Sequence, residues 1–168
     1  AIRALVELGI TPVMISGDRE QVARAVAAEL GIERVHAGVR PTQKAAIVAA
    51  ERSGARRVAM VGDGINDAPA LAAADLGVAL GSGTDIAAAA ADVTLLRGGI
   101  GALPTALRLA RATLHTIRRN LIAAFAYNAV CIPIAAVAPL SPMLAAAAMS
   151  LSSVSVLLSS LRLRSFRA

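Results

Sequence analysis

A run of 41 residues without any charged residue or histidine, from Leu121 to Leu161, constrains the fold of this chain most strongly. The run is about twice as long as the ~20 apolar residues that one membrane-spanning helix needs. Pro139, Ser141 and Pro142 interrupt it near its middle, where they favour a turn. The sequence therefore predicts a helical hairpin, with helices over about 121–138 and 143–161.

Arginines flank this hairpin at both outer ends and are absent from its turn. The positive-inside rule then places both ends of the hairpin, and with them both chain ends, on the cytoplasmic side of a membrane. A buried hairpin of a soluble protein is the alternative, because alanine contributes little to insertion and Pro133 and several serines weaken the two spans. We expect an integral segment of a bacterial cytoplasmic membrane, in contact with the lipid bilayer and with further helices.

The charge is divided unevenly along the chain. The first 96 residues carry nine basic and eleven acidic side chains, whereas the remainder carries eight arginines and no acid. A basic chain often binds nucleic acid, but these arginines bracket an apolar run and lack interleaved aromatic residues, so we expect no nucleic-acid partner. The hydrophobic content of 57% excludes disorder, and a single cysteine, Cys131, excludes a disulfide scaffold.

Short β-branched runs alternate with alanine-rich helical runs before residue 97. The predicted strands cover 12–16, 34–36, 57–61, 76–80 and 93–96, and the predicted helices cover 19–30, 41–53, 67–73 and 84–90. This alternation is typical of an α/β fold, a parallel sheet with helices on both faces. In such sheets, functional side chains gather at the carboxyl ends of the strands.

Two weak candidate sites lie at or near such positions. Ser16-Gly17-Asp18 follows the first strand directly, and a hydroxyl beside a glycine amide can bind a phosphoryl oxygen. An ordinary turn explains the same residues. Lys44 lies in the first turn of a helix, where it opposes the helix dipole unless an anion is nearby, although a solvated lysine is the simpler explanation.

A stronger candidate is the octet Gly62–Pro69, which follows the third strand. It places Asp63, Asn66 and Asp67 within five residues, beside glycines that let the backbone bend. Carboxylates repel each other at this spacing unless a cation neutralises them. Mg²⁺ suits the cluster, because it takes oxygen ligands and usually only one or two protein carboxylates, with phosphate and water completing the shell.

Together, Ser16-Gly17-Asp18, Lys44 and Gly62–Pro69 resemble three motifs of the haloacid-dehalogenase-like phosphotransferase fold, in the form found in the phosphorylation domain of P-type ion-pumping ATPases. The run Gly81-Ser82-Gly83-Thr84-Asp85 follows at the spacing of that family. The resemblance implies a partial haloacid-dehalogenase-like, Rossmann-like domain over 1–110. It implies a linker helix and a transmembrane helix pair over 111–168.

The resemblance also implies roles for individual residues. Asp63 and Asp67 would bind the catalytic Mg²⁺ with Asn66 organising the site, and Lys44 would neutralise the phosphoryl group. The Ser16 hydroxyl and Gly17 amide would hold its oxygens, with Asp18 completing that motif. The sequence departs from the family at Ser16, where threonine is usual, and at Ala89, where glutamate is common.

The nucleophilic aspartate of the family lies in an Asp-Lys-Thr-Gly-Thr motif, which this sequence does not contain. The nucleotide-binding domain, the actuator domain and the other membrane helices also have no counterpart. We therefore expect the carboxyl-terminal part of an ATP-driven pump, with ATP bound mainly by the missing domains and no turnover by this chain alone. The alternatives are a membrane-anchored phosphatase of the same fold and a truncated, non-catalytic regulatory fragment.

Four residues of the hairpin are candidates for binding the transported ion: Tyr127, Asn128, Met149 and Ser153. Met149 and Ser153 are four residues apart and therefore share one helix face, and a thioether is a soft ligand suited to Cu⁺. Gap-filling by methionine and close packing at serine explain the same residues. The combination nevertheless resembles the copper(I)-specific branch of the heavy-metal pumps, which implies copper(I) export, whereas Cys131 is interpreted as a packed residue.

Overall fold

The computed structural model describes residues 1–52, 56–63, 65–81, 85–137 and 142–166. These residues form two compact units, Ala1–Pro104 and Thr105–Ala168. Some residues named above lie outside the described parts of the chain: Gly64, Ser82, Gly83, Thr84, Pro139 and Ser141.

The first unit alternates helices and strands as the sequence predicts. Its elements are α1 (Ile2–Glu7), β1 (Val13–Ile15), α2 (Glu20–Leu30), β2 (Arg34–His36), α3 (Pro41–Glu51), β3 (Ala59–Gly62), α4 (Ala68–Ala73), β4 (Leu76–Leu80), α5 (Asp85–Ala90) and β5 (Val93–Leu95), with 3-10 turns at Ile65–Asp67 and Gly99–Ala102. Each predicted strand and helix is present within two residues of its predicted bounds, and α1 is an additional helix.

All strand pairs are parallel, which confirms the predicted α/β class. β1 pairs with β2, so that Val13 lies opposite Arg34, while β3, β4 and β5 form a second sheet in that order. Among the described residues β1 and β3 are therefore each hydrogen-bonded to one neighbouring strand only. The sequence predicted one sheet, and the structure has two because no described strand joins β1 to β3.

Local sequence signals explain the helix ends. Gly31 ends α2 in the left-handed conformation, with φ at 71°, which glycine adopts without steric cost. Pro41 opens α3 at the first helical position, where its missing N–H leaves no hydrogen bond unmade. The side chain of Gln43 accepts a hydrogen bond from the Arg40 amide at 2.9 Å, which further fixes the start of α3.

The core of the first unit lies between α4 and the second sheet. Leu71 of α4 and Val78 of β4 are almost fully buried, and Val48 of α3 is buried equally deeply. A β-carbon at Gly77 would come within 2.8 Å of the Leu71 carbonyl oxygen, so glycine permits this close contact between helix and strand. The packing fixes α3 and α4 beside the carboxyl end of β3.

Asp75 fixes the opposite end of β3. Its carboxylate accepts hydrogen bonds from the Val58 amide at 3.0 Å, from Arg52 at 3.1 Å and from Arg57 at 3.2 Å. The hydrogen bond from the Val58 amide, helped by the two guanidinium groups, holds the pKa of Asp75 below its usual range. The strand that leads to Asp63 is thereby anchored at its start.

The second unit is formed by α6 (Leu103–Val137), α7 (Pro142–Leu161) and a 3-10 turn at Arg162–Ser165. The two predicted hairpin helices are thus present, and the first of them continues the helix that starts at Leu103. In the described parts of these helices, no stretch has both the length and the hydropathy required to cross a bilayer. The predicted spans are therefore not confirmed.

Candidate functional site

An ion pair between Lys44 and Asp67 lies at the centre of the candidate site. The Nζ atom of Lys44 donates a hydrogen bond to Oδ1 of Asp67 at 2.6 Å. Both side chains are largely withdrawn from solvent, with exposed fractions of 18% and 10%. The pair connects the first turns of α3 to the 3-10 turn before α4, two segments that are 23 residues apart in sequence.

Gly62 gives Asp67 the space to reach this position. A β-carbon at Gly62 would lie 2.8 Å from the Asp67 β-carbon and 2.9 Å from its Oδ2 atom. Any larger residue at the end of β3 would therefore displace the carboxylate. The motif alone indicates that glycine lets the backbone bend, whereas the structure shows that Gly62 leaves space for the Asp67 side chain.

The loop after β1 holds Ser16 by hydrogen bonds within the loop. The Ser16 hydroxyl donates to Oδ2 of Asp18 at 2.8 Å and accepts from the Asp18 amide at 3.1 Å. The backbone of Ser16 is fixed as well, because its amide donates to the His36 carbonyl oxygen at 2.9 Å. Gly17 is exposed, so its amide lies in an accessible part of the loop.

A series of contacts connects this loop to the ion pair. The Val39 amide donates to the Ser16 carbonyl oxygen at 3.0 Å, and the Gly38 amide donates to the Asp18 carbonyl oxygen at 2.8 Å. Val39 precedes α3 by two residues, and α3 carries Lys44. The structure thus joins the motif after β1 to α3, and α3 to Asp67.

Asp63 and Asn66 complete the predicted cluster. Both residues are exposed, whereas Asp67, in the 3-10 turn before α4, is buried and keeps only 7% of its surface exposed. The described residues contain no group of three or more His, Cys, Asp or Glu side chains placed to hold a metal ion. Two carboxylates and a carboxamide suit Mg²⁺, which takes oxygen ligands and usually only one or two protein carboxylates, with phosphate and water completing the shell.

The four residues predicted to bind the transported ion lie in the second unit. The Ser153 hydroxyl donates to the Met149 carbonyl oxygen at 3.2 Å, so these two residues are neighbours on α7, and the Met149 side chain is 70% exposed. Tyr127 lines an open cavity of about 280 Å³ between α6 and α7, together with Ser152 and Ser155. Asn128 is exposed on α6.

One charged cluster in the first unit was not predicted from sequence. Glu51, at the end of α3, accepts a hydrogen bond from Arg34 of β2 and lies 3.4 Å from Nε2 of His36. The hydrogen bond from Arg34 holds the pKa of Glu51 below its usual range. No periodic signal could reveal this cluster, because Glu51 is 17 residues from Arg34 and 15 from His36 and lies in a different element.

Known proteins match this chain over nearly its whole length. It is 54% identical to a probable copper-transporting ATPase, PacS, of Synechococcus elongatus, over 99% of this chain and 23% of that protein. It is 51% identical to a copper-exporting P-type ATPase of Bacillus subtilis, over 98% of this chain and 20% of that protein. The model of the family "haloacid dehalogenase-like hydrolase" matches residues 1–75.

The fold gives the same result. A crystal structure of a zinc-transporting PIB-type ATPase in its E2.Pi state is similar with a TM-score of 0.86 and 38% identity, over 96% of this chain and 26% of that one. The chain belongs to the P-type ATPase family. A solved structure of the catalytic CPx-ATPase domain CopB-B is also similar, with a TM-score of 0.57 and 34% identity, over 62% of this chain and 44% of that one.

The recognition of a heavy-metal P-type ATPase from its motifs is thus confirmed. This P-type ATPase chain spans about a fifth to a quarter of the length of the curated relatives that it matches. The individual roles of its motif residues stay predictions.

Proposed function

We propose that this chain supplies the magnesium-binding and phosphate-stabilising half of the aspartyl-phosphate site of a copper(I)-exporting P-type ATPase. The observation that carries the proposal is the ion pair between Lys44 and Asp67 at 2.6 Å, which joins two separate motifs in one place. The relatives named as copper-transporting or copper-exporting ATPases support the substrate class. In this proposal the protein is an integral membrane pump with both ends of the chain in the cytoplasm, and the charge-free parts of α6 and α7 lie in the bilayer.

Lys44 has the donors that the proposed role needs. A protonated lysine carries three N–H donors, and the hydrogen bond to Asp67 uses one of them. The carboxylate holds the ammonium group at the end of β3, and the remaining donors can point to phosphoryl oxygens. Phosphoryl transfer depends mainly on positioning and charge neutralisation, so a fixed cation of this kind contributes directly.

Asp63 and Asp67 are the proposed magnesium ligands. Mg²⁺, when bound, neutralises charge on the phosphoryl oxygens and orients them. Asp63 is exposed at the end of β3, where it is accessible to a hydrated cation, and Asn66 adds a carboxamide oxygen in the same turn. Asp67 contributes from its buried position against Gly62 while it also holds Lys44.

Ser16 and Gly17 are the proposed donors to the transferred group from the other sheet. The Ser16 hydroxyl is oriented by Asp18 at 2.8 Å, so it is held in one place before any phosphate arrives. Rotation of this hydroxyl away from Asp18 frees its proton for a phosphoryl oxygen, and the Gly17 amide adds a second donor. Ser16 retains the hydroxyl of the threonine that is usual in the family.

The nucleophile is proposed to come from a strand outside this sequence. β1 and β3 each pair on one side only among the described residues, and both are parallel to their neighbours. A further parallel strand between them would bring its carboxyl end beside Ser16 and Asp63. The chain by itself is therefore proposed to be inactive, because aspartyl phosphate cannot form without the nucleophilic carboxylate.

The proposed copper(I) site takes ligands from both helices of the second unit. The exposed thioether of Met149 and the neighbouring Ser153 offer soft and hard donors on one face of α7. Tyr127 and Asn128 offer oxygen donors from α6. Because Met149 is largely exposed within this unit, further helices of the pump are needed to enclose the ion.

The test is phosphoenzyme formation in the full pump reconstituted in lipid. Asp63→Asn should abolish Mg²⁺-dependent phosphorylation by ATP, because it removes the accessible carboxylate. Met149→Ala should reduce copper-stimulated turnover while phosphorylation by inorganic phosphate persists. Glu33→Gln, an exposed change of the same type elsewhere in the first unit, is the control and should leave both reactions intact.

Two results would contradict the proposal. Phosphorylation of Asp63→Asn at the wild-type rate would remove Asp63 from the magnesium site. Hydrolysis of small phosphate esters by the isolated chain would favour a phosphatase of the same fold instead.

A further inference from the structure

The carboxyl-terminal end of α3 carries two adjacent charged residues that the proposed reaction does not use, Glu51 and Arg52. Glu51 is the last residue of α3, and Arg52 follows it directly. Their ion-pair partners lie in different places: Arg34 belongs to β2 of the first sheet, whereas Asp75 directly precedes β4 of the second sheet. Because none of the described strands joins these two sheets, contacts made by α3 connect them.

Glu51 connects α3 to the first sheet. Its carboxylate accepts a hydrogen bond from Arg34 and lies 3.4 Å from Nε2 of His36, and both of these residues belong to β2. The carbonyl oxygen of His36 in turn accepts a hydrogen bond from the Ser16 amide at 2.9 Å. Glu51 is thus linked through His36 to the loop that holds the Ser16 hydroxyl.

Arg52 connects α3 to the second sheet. Its guanidinium group donates to Oδ1 of Asp75 at 3.1 Å and to the carbonyl oxygen of Ala73, the last residue of α4, at 2.9 Å. Asp75 also accepts a hydrogen bond from the Val58 amide, directly before β3. Arg52 therefore reaches the start of the strand that leads to Asp63.

Apolar packing holds α3 on the side of α4, where the two helices are in contact and Val48 is buried. On the side of the segment that follows β2, an open cavity of about 520 Å³ is lined by residues 37–39 and by Ala46, Ile47 and Ala50 of α3. Close packing therefore does not fix α3 against this segment. Glu51 supplies a fixed contact with β2 at the end of the helix.

The position of α3 matters because this helix carries Lys44. Glu51 lies two helical turns beyond Lys44, about 10 Å along the helix axis, so a displacement of the helix at Glu51 also displaces Lys44. The hydrogen bond to Asp67 fixes the ammonium group relative to the segment after β3. A phosphoryl group held by Ser16 needs the ammonium group fixed relative to β1 as well.

We propose that Glu51 and Arg52 are positioning residues for phosphoryl transfer, which together fix α3 to both sheets and thereby fix Lys44 relative to the Ser16 loop and to Asp63. A strand inserted between β1 and β3 would join the sheets by backbone hydrogen bonds, but it would not fix α3 to either of them. Such support matters because a shift of about 1 Å at a reacting group can slow a reaction by about 100-fold. This inference rests on the proposed function, which gives Lys44 and Ser16 their roles.

The experiment measures the rate constant of phosphoenzyme formation from ATP in the full pump reconstituted in lipid, at saturating ATP and Mg²⁺. Glu51→Met and Arg52→Met each remove one connection, and each should reduce the rate constant by roughly 10- to 100-fold. The Mg²⁺ concentration that gives the half-maximal rate should not change, because Asp63 and Asp67 belong to one segment after β3. Loss of folded protein alone would instead lower the amount of phosphoenzyme at an unchanged rate constant.

A double variant shows whether the two residues act together. If both act through the position of α3, Glu51→Met/Arg52→Met should be no slower than the slower single variant, whereas two independent losses would multiply. The matched control, Glu20→Met/Arg24→Met, removes an ion pair within α2 and should keep the wild-type rate constant.

The inference would be overturned by wild-type rate constants in both single variants, by multiplied losses in the double variant, or by a change confined to the amount of phosphoenzyme. If Glu51→Met fails to fold, Arg34→Met breaks the same contact from its more exposed partner and should be slow. Arg34→Lys keeps a cation there and should retain most of the rate, and equal rates in these two variants would also overturn the inference.

Asp63→Asn, measured in the same preparation, separates the two proposals. Phosphorylation of Asp63→Asn at the wild-type rate would contradict the proposed function. An inactive Asp63→Asn beside an unaffected Glu51→Met and Arg52→Met would contradict only the positioning role.

Discussion

Replacing Lys44 by methionine tests whether the ion pair with Asp67 stabilises the candidate site. The change keeps most of the side-chain volume and removes the cation, so the Asp67 side chain, which is 10% exposed, loses its contact with the Lys44 ammonium group. Breaking a buried ion pair on one side typically costs about 3–5 kcal/mol. We take the lower value, about 3 kcal/mol, because the Lys44 side chain keeps 18% of its surface in contact with solvent.

Hydrogen exchange of backbone amides, measured by mass spectrometry on the full pump, detects this loss locally. A loss of about 3 kcal/mol corresponds to an exchange rate roughly 100-fold faster for amides that exchange through local opening. The increase should be confined to α3 and to the segment from Ile65 to Ala73, which the ion pair connects. The rest of the first unit should exchange at its normal rate.

Two further variants make the reasoning testable. Lys44→Met/Asp67→Leu removes both charges, and an apolar pair of similar volume is often as stable as the buried ion pair that it replaces. Exchange in the double variant should therefore return towards the wild-type rate. Arg24→Gln breaks an exposed ion pair, because the side chain of Arg24 is 63% exposed and that of its partner Glu20 is 68% exposed. This variant should change the hydrogen-exchange rate in α2 by no more than about twofold.

The reasoning would be refuted by unchanged exchange of α3 in Lys44→Met, which would mean that the pair is solvated. It would also be refuted if the double variant exchanged faster than either single variant, because the two losses would then be independent.

Three further predictions concern other parts of the first unit. The pKa of Glu51 in the folded state lies below the ordinary 4.5, so its carboxylate stabilises the fold above that pH. The difference in thermal stability between wild type and Glu51→Gln should therefore shrink as the pH falls below 4.5 through the folded-state pKa. A difference in thermal unfolding that does not depend on pH would contradict this. Gly62→Ala should lower the free energy of unfolding by about 1–3 kcal/mol and abolish phosphoenzyme formation, because it displaces Asp67. The control, Gly101→Ala, has open space around its β-carbon and should have little effect on thermal unfolding or phosphorylation. Mixing this chain with a separate fragment that carries the nucleophilic strand should restore phosphorylation by ATP, and the same mixture with Asp63→Asn should not.

The elements of the first unit could be predicted from sequence because their signals are local. Gly31 ends α2 and Pro41 begins α3 as backbone chemistry requires. The hairpin helices were predicted from the absence of charge, but the continuity of α6 back to Leu103 was not. Nothing in the helix periodicity marks a boundary between the part of α6 that carries arginines and the part that does not.

The contacts of the site could be predicted only in part. The motif after β3 indicated oxygen ligands and a cation, but the pairing of Lys44 with Asp67 depends on how α3 packs beside α4, which local sequence does not determine. The steric role of Gly62 is likewise visible only once Asp67 is in place. The resemblance to a family predicted which residues form the site, and the structure shows that Lys44 and Asp67 are in contact.

The direct pairing of Lys44 with Asp67 explains how two charged side chains can stay together in a largely buried place. Burying a charged side chain without a counter-charge is costly. Each group offsets the cost of burying the other, so the pair fixes the Lys44 ammonium group beside Asp67. In the proposed function, an arriving phosphoryl group would then meet donors that are already in place, which would lower the reorganisation needed in the reaction.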